Sequence, residues 1–126
     1  MLELMVALSL LAVVSVFLLQ GFIRAMVHAG RSNEQAAATT LALQLVEQVR
    51  ASVNPYTMVG FVDLPRSPLP LAAPYAGVTN PTPHTFEVAV DVTPDDNLTV
   101  TTVSVQVYRP ADATPLVTLA TLLDDQ

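Results

Sequence analysis

A single carboxylate, Glu3, stands at the mouth of an uncharged apolar run that continues from Leu4 to Ile23. A carboxylate at membrane depth costs about 2.5–3.5 kcal/mol on insertion scales, so such a residue either reaches headgroups or solvent or serves a purpose that offsets the cost. From the residues alone both readings stand. Other candidates for chemistry are sparse. His28 and His84 lie far apart in the chain and neither sits in a metal-ligand motif, which reads as two surface histidines. Asp95-Asp96-Asn97 and Asp124-Asp125 carry calcium-type ligands without the ladder of a calcium loop, and a turn and a solvated tail account for them. Asn97-Leu98-Thr99 fits a glycosylation sequon, a pattern short enough to arise by chance. With no Cys, four Gly, no Gly-rich phosphate loop and no strand-turn-helix nucleophile motif, the chain reads as a non-enzyme with no metal or cofactor site.

The element that carries Glu3 is a helix. Between Leu2 and Val53 there is no Pro, and Gly occurs only at 21 and 30, which allows one helix of about 50 residues. Residues 1–23 form its apolar first part, and about 20 residues at about 1.5 Å rise cross a hydrocarbon core of roughly 30 Å. In residues 24–53, Leu41, Leu45, Val49 and Val53 recur at spacing four, with Ala38, Ala42 and Val46 beside them. Glu34, Gln35, Gln44, Glu47, Gln48 and Arg50 take the other directions, so this part is an amphipathic stem with one side to bury. Gly30 with Ser32 and Gln35 also permits a break near residue 31; a continuous or slightly bent helix is expected, ending at Asn54-Pro55.

Seven of the ten prolines fall between residues 55 and 83, so residues 54–84 are expected as a Pro-rich loop, with a short strand around Met58 to Val62. Residues 85–126 read as antiparallel sheet. Phe86, Val88, Val90 and Val92 alternate with Thr85, Glu87, Ala89 and Asp91, then Pro94 to Asn97 turns the chain. The next strand is Leu98 to Tyr108, where Leu98 and Val100 have the opposite parity to Val103, Val105 and Val107; a bulge near Thr101-Thr102 would reconcile them. A turn from Arg109 to Pro115 leads to a strand from Leu116 to Leu123. The expected fold class is α+β, a long N-terminal helix packed on a three- or four-stranded antiparallel meander, because an apolar helix side and an apolar sheet face each need cover.

Charge is divided unevenly. Up to Val53 three Arg balance Glu3, Glu34 and Glu47, and the net charge of -6 lies entirely after that residue. An acidic head repels phosphate backbones, so direct nucleic acid binding is not expected. A cleaved secretory signal does not fit either, since the apolar run is too long and no basic residue precedes it.

The opening residues Leu2-Glu3-Leu4-Met5-Val6-Ala7, with the apolar body from Ser9 to Leu19, resemble the N-terminus of type IV pilins and type II secretion pseudopilins. In that family Phe-Thr-Leu-x-Glu-Leu opens the mature helix after prepilin cleavage and N-methylation. Here the cleavage Gly, the Phe and the Thr are missing and Met1 stands where the family has Leu, so the resemblance implies a start truncated at the cleavage site, by a misread initiator or by design. Arg24 and Arg31 after the span would by charge count put the C-terminal side in the cytoplasm, and a basic leader of the family's kind would reverse that count.

The resemblance implies a pilin-like fold and a minor pilin or pseudopilin, a single-pass inner-membrane subunit with a periplasmic head that enters a filament. Glu3 would register each subunit against the terminal amine of a neighbour, since a wrong register leaves buried charges unpaired. Leu4, Ala7, Leu8, Leu11, Ala12 and Ser15 would pack the filament core, and Leu41, Leu45, Val49 and Val53 would pack stem on sheet. Other pilin or pseudopilin subunits, the inner membrane, a prepilin peptidase and an assembly platform are the implied partners, and secretion, motility, adhesion and DNA uptake are equally compatible. The rival reading is a membrane-anchored periplasmic binding module that does not polymerise and whose Pro-rich loop captures a ligand.

Overall fold

In the computed structural model α1 runs from Leu2 to Ser52 with helical geometry through Gly21 and Gly30, so the restart near residue 31 is not used. The structure describes residues 1–52, 63–94 and 100–124. Val53, the helix stop at Asn54-Pro55, the strand expected at Met58 to Val62, Asp95-Asp96-Asn97 with the sequon, and Asp125 lie outside the described residues. The chain divides into two compact units, Met1–Asn33 and Glu34–Gln126.

The first unit is helix from Leu2 onward, and the apolar side chains between Leu2 and Val27 are exposed along it. This helix is long and apolar enough to cross a membrane.

In the second unit the remainder of α1 lies on a four-stranded antiparallel sheet. The strands are β1 (Leu64–Pro68), β2 (Glu87–Pro94), β3 (Val100–Tyr108) and β4 (Val117–Asp124), in the spatial order β1-β2-β3-β4 of a simple meander. Ala38, Leu41, Ala42, Leu45, Val46 and Val49 are buried at the three- and four-residue spacing of one helix side. Opposite them the sheet presents Val88 and Val90 from β2 and Val103, Val105 and Val107 from β3. The pairs Val88↔Val107, Val90↔Val105 and Val92↔Val103 stack β-branched side chains across the strands on this face. From β4, Val117, Leu119 and Leu123 pack on the same core and stay partly exposed at the sheet edge.

Two expectations are corrected. The β2–β3 and β3–β4 ladders run without interruption, from Glu87↔Tyr108 to Pro94↔Thr101 and from Val107↔Val117 to Val100↔Asp124, so there is no bulge at Thr101-Thr102. Thr101 instead keeps the parity of the valines and is buried at 4 % exposure, while Val100 takes the outer face. β3 is held by neighbours on both sides, and a one-residue slip would have to be matched in both ladders. The irregularity falls in β1, between Leu64 and Ser67. That strand is the second correction, because residues 64–68 belong to the stretch expected as loop. Pro65 and Pro68 are compatible with it because β1 is an edge strand, where a missing N–H costs no ladder bond on the open side.

Candidate functional site

In the first unit, Glu3 sits in the first turn of α1, the end at which the helix dipole favours an anion. Leu4, Ala7, Leu8, Leu11, Ala12 and Ser15 follow at the spacing of one helix stripe, and all are exposed. Their surroundings in this unit are open, so the stripe is a surface in need of an apolar environment. Ser9 Oγ donates to the Val6 carbonyl and Ser15 Oγ to the Leu11 carbonyl, both at 2.8 Å. The two hydroxyl donors are thereby satisfied within the helix, which lowers the cost of taking this part of α1 out of water.

The second unit is organised by polar side chains that bind backbone. Gln48 Nε2 donates to the Pro74 carbonyl at 2.9 Å, and the Thr79 N–H donates to Gln44 Oε1 at 3.4 Å. These bonds tie the stretch between β1 and β2 to the helix, while Leu71, Tyr75 and Val78 from that stretch are buried in the core. Leu41, Leu45 and Val49 of the stem are buried against them and against the sheet. At the far end of β3, Arg109 holds Glu34 through two hydrogen bonds of 2.7 Å. Arg66 on β1 pairs with Glu87, donates to the carbonyls of Asp112 and Arg109, and lies with its guanidinium 4.5 Å from the centre of the Tyr108 ring. Ala111, with φ of 68°, turns the chain between those two carbonyls.

These contacts shift two groups. The carboxyl of Glu34 is held below its ordinary value of 4.5, chiefly by the hydrogen bonds from Arg109, with desolvation acting the other way. Burial pushes the Tyr75 hydroxyl above its ordinary value of 10.0, and the charge of Asp63 adds to it.

Among the described residues an open concavity of about 570 Å³ lies between Pro68 to Pro70, Val78 to Asn80, His84 to Glu87 and Pro110. Its lining is mainly apolar. His84 is half-buried there, its ring 6.1 Å from that of Phe86 and its carbonyl accepting from Asn80 Nδ2 at 2.6 Å. His28 is exposed on α1. Among the described residues no three His, Cys, Asp or Glu side chains come together as metal ligands, and Glu87 in the lining of the concavity is paired with Arg66.

Comparison with family models, curated proteins and solved structures returned no match.

Proposed function

We propose that this chain is a minor pilin or pseudopilin, a subunit that leaves the inner membrane for a filament by exchanging lipid for a bundle of related helices. The observation that carries the reading is the exposed apolar segment of α1 with one carboxylate, Glu3, in its first turn. Such a segment is stable only in lipid or among other apolar helices, and the move between the two keeps it dry throughout. The stripe from Leu4 to Ser15 includes Ala7, Ala12 and Ser15, small enough for close helix approach. An antiparallel head covered by its own helical stem supports the same reading, as does the resemblance of Leu2 to Ala7 to the mature pilin start.

In this mechanism Glu3 pairs with the terminal amine of the next subunit, so that register is enforced by charge in a low-dielectric core. Glu3→Ala is expected to abolish incorporation into sheared filaments while the thermal melt of the head stays unchanged. Incorporation of Glu3→Ala at the normal level would overturn the proposal. Mass spectrometry of the native N-terminus in the filament fraction is expected to find N-methylated Phe two positions before Met1.

The second reading is a membrane-anchored periplasmic module that binds without polymerising, and the open apolar concavity beside His84 favours it. A plain anchor tolerates Glu3→Ala, so the same experiment separates the two.

A further inference from the structure

The chain contains five arginines and no lysine. Arg50, Arg66 and Arg109 each pair with a carboxylate. Arg24 and Arg31 form no ion pair among the described residues, and the sequence between Glu3 and Glu34 holds no acid that could supply one. Both are exposed on α1, as is His28 between them. At 3.6 residues per turn, Arg31 lies within about 20° of Arg24 around the helix and His28 within about 40°. The three side chains therefore form one stripe, with Phe22, Met26 and Ala29 on the opposite side.

The position of this stripe along the axis identifies what it meets. The uncharged run ends at Ile23. Arg24 follows at once, and Arg31 is about 10 Å further along. The headgroup layer on each side of a bilayer is roughly 5–8 Å deep, so the stripe covers its full depth. A guanidinium matches phosphate with two parallel hydrogen bonds, and its stem reaches along apolar surface to a charged neighbour. We infer that Arg24, His28 and Arg31 form a binding face for anionic phospholipid headgroups, seated directly beyond the membrane-spanning part of α1. The face retains the subunit beside anionic lipid until it leaves the bilayer. This inference rests on the reading of α1 as a membrane helix.

The test uses the full chain reconstituted into phosphatidylcholine vesicles containing phosphatidylglycerol, with trace spin-labelled phosphatidylglycerol or phosphatidylcholine read by electron paramagnetic resonance. The expected result is a motionally restricted population enriched roughly two- to fivefold in phosphatidylglycerol, falling towards parity in Arg24→Gln/Arg31→Gln and in high salt. Equal restriction of both lipids, or selectivity unchanged in the double variant, would overturn the inference and leave the membrane helix standing. If crosslinking between copies in pure phosphatidylcholine depends on the two arginines while lipid selectivity is absent, the face belongs to an acidic protein surface and the inference fails. Absence of any restricted lipid, together with failure to float with phosphatidylcholine vesicles, would remove the membrane reading and the inference with it.

Discussion

Arg109 grips both carboxylate oxygens of Glu34, Nε to Oε1 and Nη2 to Oε2 at 2.7 Å each, and so ties the end of β3 to the helix across 75 residues of sequence. The two-pronged geometry is the strongest form of ion pair available to an arginine. Arg109 is itself positioned by Arg66, whose Nη2 donates to the Arg109 carbonyl at 2.8 Å.

The pH dependence follows from the depressed carboxyl of Glu34. A group whose folded value lies below its unfolded value stabilises fully above the unfolded value, near 4.5, and loses that contribution as pH falls through the folded one. Glu34→Gln is expected to lower the head's Tm by roughly 2–5 °C at pH 7, discounted for the exposure of the arginine. The gap between the two proteins is expected to close on acidification below pH 4.5. Thermal melts across that range check both; a gap constant down to low pH would sink the assignment.

Gly77 leaves room that Gln48 fills. A Cβ at residue 77 would stand 2.9 Å from Gln48 Nε2 and 3.1 Å from its Oε1, so the side chain must swing away and give up its bond to the Pro74 carbonyl. Gly77→Ala is expected to cost about 1 kcal/mol in urea melts. In a Gln48→Ala background the same change is expected to cost much less, because the two substitutions remove one contact.

Leu43 and Leu45 are two residues apart on α1 and differ in what they touch. Leu45 is fully buried and Leu43 is 52 % exposed. Leu45→Ala is expected to destabilise the head by about 2–5 kcal/mol. Leu43→Ala is expected to stay within about 0.5 kcal/mol. Equal effects in denaturant melts would contradict the helix orientation.

Tyr75, 2 % exposed, is one of three tyrosines. Its raised hydroxyl value means that its contribution is complete below the unfolded value of 10.0 and lost as pH rises through the folded one. An ultraviolet titration is expected to show a late phase that coincides with unfolding and is absent in Tyr75→Phe. A Tyr75→Phe protein retaining the late phase would assign it to another residue.

Much of the architecture was legible because it depends on local pattern. Absence of Pro and a 3.6-residue apolar period specify α1 with its buried side, and alternation specifies β2 and the part of β3 from Val103 to Val107. β1 was not legible, since two prolines in five residues argue against a strand unless the chain is known to lie at a sheet edge. The direction of Thr101 escaped for a related reason: a polar residue at a core-facing position contradicts the local pattern, and the ladders on both sides outweigh it.

By itself the sequence determined that residues 4–23 need an apolar environment, that one carboxylate stands at their start, and that a helix and a sheet must cover each other. Each of these depends on side-chain type and on periods of two or 3.6, which neighbours in the chain carry. Only the tertiary structure decided that Arg109 meets Glu34, that Arg66 gathers the turn after β3, and that Gln44 and Gln48 hold the loop. These pairings join residues 26 to 75 positions apart, and no local period encodes which distant donor will face which acceptor. That choice is made when the strands pair and the helix settles on them.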